Sequence, residues 1–132
     1  MMDETLLGII PDLNWRRGFL KYAHATLVVT NKRLLVALRP KERAKDPSGE
    51  MYRAMGFDAI HAESPGNLAI GLSQIRSFRV ESGQALSGDD APHPDRLILK
   101  TATGKEVFTF GTYSLSSKEA KALLERVLGH RH

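Results

Sequence analysis

The feature that most constrains the fold is a pair of runs near the start of the chain. Thr26-Leu27-Val28-Val29-Thr30 and Arg33-Leu34-Leu35-Val36-Ala37-Leu38 are separated only by Asn31-Lys32. β-Branched and aliphatic side chains favour a pleated surface. An asparagine that tolerates positive φ turns a two-residue connection into a tight antiparallel hairpin. Pro40 ends the second run. A chain that begins this way must extend the sheet or cover it.

The remaining text mostly extends it. Gly18-Phe19-Leu20-Lys21-Tyr22-Ala23-His24 reads as a first strand, with Phe19, Lys21 and Ala23 alternating in face with their neighbours. Strand character returns over residues 67–72 and 75–81. After a polar, glycine- and proline-containing loop over 82–95, Arg96–Thr101 and Lys105–Phe110 form a last hairpin turned at Thr103-Gly104. Two helical signals flank these strands. At the C-terminus, Ser116-Ser117-Lys118-Glu119 is a capping box. Behind it Ala120, Leu123, Leu124, Val127 and Leu128 share one face, and Gly129 closes the helix. That stripe needs a partner, and the sheet is the candidate. At the N-terminus, Asp3 as cap, Leu6, Leu7, Ile9 and Ile10 as apolar surface, and Pro11 as stop predict a short helix.

Between Lys41 and Gly66 the character changes. Turn clusters at Asp46-Pro47-Ser48-Gly49 and Ser64-Pro65-Gly66 bracket Glu50–Ile60. Helical spacing puts Met51, Met55 and Ala59 on one side with Tyr52 nearby, although Gly56 costs a helix about 1 kcal/mol. The segment reads either as a short helix inserted between strands or as a long loop, a rarity in compact domains and often functional. The expectation is one domain over residues 1–132 with an insertion at about 41–66.

Charge and composition exclude several classes. The chain has no cysteine, which removes thiol nucleophiles, thiolate metal sites and disulfides. The opening residues carry two acids before a short apolar stretch, unlike a secretory signal. No window approaches the roughly 18 apolar residues of a membrane span. A cytoplasmic domain is the expectation. The net charge of +4 hides an asymmetry: from Asn14 to Lys45 nine basic residues face one acid, Glu42. Such a segment can attract phosphate in a lipid headgroup or nucleic acid, or simply keep strand faces solvated.

The order of these elements resembles the pleckstrin-homology-like (PH-like) barrel. The local text is similar to its bacterial, GRAM-like branch. The carrying residues are Leu27–Val36, similar to the family's hairpin with Thr30-Asn31-Lys32-Arg33 at its tip, and Ile70–Val80. The Lys105–Phe110 strand and the capped helix complete the pattern. The resemblance implies a mainly β fold with a C-terminal α-helix: about seven antiparallel strands in a barrel capped by one helix. It also implies exposed sheet edges and a groove beside the helix, both suited to a peptide or an added strand.

No catalytic constellation is legible. There is no Gly-x-Ser-x-Gly elbow, Walker A loop, Gly-x-Gly-x-x-Gly or His-Glu-x-x-His. His24, His61 and His93 are far apart, and His130 and His132 lie on a tail. Asp89, Asp90 and Asp95 lack the alternating ligands of a calcium loop. The expectation is a non-enzymatic binding domain with no catalytic residue, cofactor, metal or small-molecule substrate identified.

Two kinds of partner remain. The first is protein, including self-association, through Trp15, Met51, Tyr52, Met55 and Phe57. The four insertion residues would equally serve to close one mouth of the barrel, and Trp15 to plug its core. The second is an anionic membrane surface met peripherally by Arg16, Arg17, Lys21, Lys32 and Arg33. Some PH domains use a basic motif across their first two strands, and Arg16, Arg17 and Lys21 fall near that place. At the Lys32-Arg33 tip the competing reading is purely structural, a hairpin whatever the protein does. Nucleic acid fits less well, because Phe and Tyr are not interleaved with the cations as in sheet-based RNA readers.

Overall fold

The computed structural model describes residues 3–19, 21–39, 49–81 and 95–129. Seven antiparallel strands form one sheet: β1 (Leu6–Gly18), β2 (Lys21–Thr30), β3 (Arg33–Leu38), β4 (Leu68–Gly71), β5 (Ile75–Glu81), β6 (Arg96–Thr101) and β7 (Gly104–Phe110). Among the described residues two α-helices accompany them, α1 (Phe57–Ala62) and α2 (Ser117–Leu128), with short 3-10 turns at Glu50–Ala54 and Leu72–Gln74. The strand order is β4-β3-β2-β1-β7-β6-β5. The main core draws on every strand and on α2, so the sheet curls around it with the helix as lid. Gly8 sits under that lid, where an added Cβ would lie 2.6 Å from Leu123.

The predicted N-terminal helix is instead the first half of β1. Ile9 pairs with Val28 and Ile10 with Leu27, so a long-range ladder overrides a local helical pattern. Pro11, read as a helix stop, occupies a bulge between Ile10 and Leu13 where Asp12 turns to φ 51°. A bulge leaves a ladder position unpaired, which suits a residue with no N–H. Beyond the bulge β1 pairs with β7 through Leu13, Asn14 and Trp15. The strand predicted over 18–24 is likewise revised: Gly18 pairs with Lys21 across a hairpin turn, and β2 runs on unbroken to Thr30.

β2 and β3 explain why the opening text is apolar at almost every position. Leu27, Val29, Leu34 and Val36 face the main core. Side chains alternate in face along a strand, and the other face carries Val28, Leu35 and Ala37 into a second core with Ile9, Tyr52 and Ile60. Met55 and Phe57 pack against this second core, so the insertion covers the outside of the sheet and does not close a barrel mouth. Asn67 pins it there. Its buried amide donates to the Ile60 carbonyl at 2.8 Å and accepts from the Leu38 N–H at 2.7 Å. Residues 40–48, including Lys41, Arg43 and Lys45, lie outside the described residues, as does the 82–94 part of the polar loop.

Candidate binding surface

The five predicted cations do not form one patch. Arg16, Arg17 and Lys21 flank the β1–β2 turn, whereas Lys32 and Arg33 lie at the β2–β3 turn. β2, ten residues long, separates the two ends by about 30 Å at roughly 3.3 Å per residue.

At the β2–β3 tip the hairpin text is spent on structure. Thr30 Oγ1 accepts the Lys32 and Arg33 N–H groups at 3.1 and 3.0 Å and lies 2.8 Å from Glu4 Oε2. Asn31 ties down the N-terminal segment, accepting from the Thr5 N–H at 2.7 Å and donating to the Asp3 carbonyl at 3.0 Å. Arg33 grips the Glu4 carboxylate with Nε at 2.8 Å and Nη2 at 3.0 Å, and reaches Asp58 of α1 at 2.8 Å. Burial alone would raise the Glu4 carboxyl. The hydrogen bonds from Arg33 and Thr30, with the Arg33 and Lys32 charges, outweigh it and hold the group below its ordinary range. Arg33 is raised in turn by its bonds to Glu4 and Asp58. Arg33 is thus engaged within the protein by two carboxylates. Lys32 is exposed.

The β1–β2 tip is built differently. Trp15 is fully buried, so it is a core residue and cannot anchor an external partner. It stacks on Phe108 with ring centroids 6.1 Å apart, and its Nε1 donates to Glu106 Oε2 at 3.0 Å. The Arg17 guanidinium lies 3.9 Å from the Trp15 ring centroid, close enough for a cation–π contact. Stacking uses the face of the guanidinium and leaves its edge donors available. Arg16 and Lys21 are exposed beside it. Phe19, at the turn, is 82% exposed, and Tyr22, paired with Arg16, is 54% exposed. Arg16, Arg17, Gly18 and Phe19 line an open groove of about 460 Å³ with Lys105, Glu106 and Val107 of β7.

Sequence reasoning missed Phe19, Tyr22, Lys105 and Glu106. The run Arg16-Arg17-Gly18-Phe19-Leu20-Lys21-Tyr22 carried the signal, a glycine turn set among cations and aromatics. Lys105 and Glu106 carried none, since only the β1–β7 register brings them near.

The protein-contact residues also divide. Tyr52 is buried and joins Trp15 inside the protein, while Met55 and Phe57 are partly covered. Met51 alone of the set is largely exposed. A further groove, of about 200 Å³ between β5, β6 and α2, is lined by Arg79, Lys100 and Lys121. Two of its cations meet acids, Arg79 with Glu81 at 3.2 Å and Lys121 with Glu125 at 3.8 Å.

No helix among the described residues is long and apolar enough to cross a membrane. No family model matches the chain, and no curated protein matches it by sequence. Solved structures do resemble it. The C-terminal domain of an unknown protein from Leishmania infantum aligns at TM-score 0.56 and 14% identity, covering 95% of this chain and 84% of that one. The Vps36 N-terminal PH domain aligns at 0.51 and 18%, covering 95% and 82%. The hSac2 domain of the human phosphoinositide phosphatase Sac2 aligns at 0.53 and 12%, covering 96% and 68%. At these identities the likeness is one of fold, and it is the PH-like fold. The bacterial, GRAM-like branch remains a reading of the sequence text alone.

Proposed function

We propose that this domain binds rather than catalyses, and that it docks peripherally on an anionic membrane through the β1–β2 hairpin. The observation that carries the proposal is the exposed Phe19 set among Arg16, Arg17 and Lys21 at the β1–β2 turn. An aromatic ring flanked by cations suits the boundary between lipid headgroups and chains. Each Lys or Arg near an anionic surface contributes about 1 kcal/mol. The PH-like fold adds support of a general kind, because one neighbour belongs to an enzyme named for phosphoinositides. The protein-contact reading has less to stand on, with Trp15 and Tyr52 buried.

The test is co-sedimentation with phosphatidylcholine vesicles, with and without phosphatidylserine, at low and physiological salt. The expected result is retention by the anionic vesicles alone, weakening as salt rises. Equal retention on both vesicle types, or on neither, overturns the reading.

A further inference from the structure

We infer that the first half of β1 is a docking edge for an extended acidic peptide, which adds to the sheet as a further strand. This is independent of the membrane reading and uses none of Trp15, Met51, Tyr52, Met55 and Phe57. β1 is an interior strand, between β2 and β7, yet it is only half paired. β2 pairs with it from Leu6 to Gly18, whereas β7 pairs only with Leu13, Asn14 and Trp15. The bulge at Pro11-Asp12 stands at that boundary. Among the described residues no strand pairs with Leu6–Ile10 on the side away from β2. Alternate residues of an antiparallel strand direct their N–H and C=O groups to opposite sides, so this half of β1 offers backbone groups to a newcomer.

A groove of about 400 Å³ touches Leu7, Gly8 and Ile9 in succession. Side chains of consecutive strand residues alternate in face, so a groove that meets three in a row follows the edge. α2 contributes Leu123, which packs over Gly8 on the main-core face, together with Arg126. Arg53 comes from the Glu50–Ala54 turn, whose Tyr52 shares the second core with Ile9 on the other face. The groove therefore lies between the covers of the two sheet faces. Its chemistry selects the occupant. Leu7 is 39% exposed and offers apolar surface. Arg53 and Arg126 are exposed and outnumber Glu119, the one acid lining the groove among the described residues. Glu119 Oε1 already accepts the Ser116 hydroxyl at 3.0 Å. Arg53 meets Glu50 at 3.2 Å, an exposed pair of the kind that contributes little. A second copy of this chain would bring the same two arginines to the contact, because a two-fold interface uses one patch twice. An extended peptide carrying carboxylates and aliphatic side chains answers the arginines, Leu7 and the unpaired backbone together.

The experiment screens the full chain against two libraries of acetylated hexapeptides. Each peptide combines three Val, Ile or Leu residues with three Asp or Glu residues, or with three Lys or Arg residues, in every order. The tightest acidic peptides are expected to bind about tenfold better than the tightest basic ones. Arg53→Glu with Arg126→Glu, both at exposed positions, is expected to reverse that preference without unfolding the protein. The best acidic peptide should shift the amide resonances of Leu7–Ile9, and N-methylation of its alternate amides should abolish binding by removing the donors a strand needs. Equal binding of the two libraries, or an unchanged preference in the double variant, overturns the inference. Amide shifts confined to β4 or β5 do so too, by placing the peptide on another edge. A dimer of the unaltered chain that protects the Leu6–Ile10 amides from exchange overturns it as well, by making a second copy the occupant.

Discussion

The two hairpin tips at either end of β2 are both basic in sequence and opposite in character. At the β2–β3 tip, Arg33 meets Glu4, 29 residues away, and Asp58, 25 residues away. At the β1–β2 tip the acid nearby, Glu106, is engaged by Trp15, and Arg17 lies on the indole face. A local run of cations therefore says little about binding. What decides is which carboxylates the fold brings to it from distant parts of the chain. The first tip uses its charge to hold the N-terminal segment and α1 against the hairpin. The second presents its charge, with an aromatic ring, to the outside.

Removing one arginine from each tip should break different things. Arg33→Ala leaves the mostly buried Glu4 carboxylate without its cation. It should lower folding stability by about 2 kcal/mol, between the values for exposed and fully buried pairs. Urea denaturation measures this, and a loss under a few tenths would erase the distinction between the tips. Arg16→Ala with Arg17→Ala should instead weaken anionic-vesicle binding by about 2 kcal/mol, roughly thirtyfold. Its effect on stability should be smaller, about 0.5–1 kcal/mol from the lost Arg17 stacking.

Acid sharpens the contrast. Glu4 has a folded-state pKa below its unfolded value, so its stabilisation is complete above the ordinary glutamate value. That stabilisation is lost as pH falls through the lowered value. Below about pH 4 the unaltered protein should therefore lose stability faster than Glu4→Gln, which has no carboxyl to titrate there. Parallel denaturation curves from neutral to acid pH check this, and identical slopes would contradict the network. The smallest effect belongs to Lys32→Ala, which should change stability by less than about 0.5 kcal/mol.

Much of this architecture is legible in the sequence wherever local chemistry and tertiary contact agree. The Ser116 cap is real: its Oγ accepts the Glu119 N–H at 3.1 Å and donates to Glu119 Oε1 at 3.0 Å, in place of the reciprocal backbone bond of a full capping box, and Gly129 ends α2 at φ 71°. The Asn31-Lys32 turn and the Gly104 hairpin also stand where expected, although Asn31 does not take the positive φ predicted for it and instead ties down Thr5 and Asp3 with its side chain. β1 is the counter-example. Leu6, Leu7, Ile9 and Ile10 fit a helix locally, yet the ladder to β2 decides the outcome, and Pro11 is absorbed by the Asp12 bulge. The unbroken apolar text of β2 and β3 recorded burial on both faces, which neighbouring residues cannot reveal without knowing what lies opposite. The binding surface was half legible for the same reason. Arg16, Arg17 and Lys21 are close in sequence, but Lys105 and Glu106 arrive only through the register of β7.

The most direct test of the difference between the tips compares Arg16→Ala with Lys32→Ala, two exposed cations, in binding to phosphatidylserine-containing vesicles at physiological salt. The account predicts about fivefold weaker binding for Arg16→Ala and less than about twofold for Lys32→Ala. Equal losses from both, or the larger loss from Lys32→Ala, would contradict it.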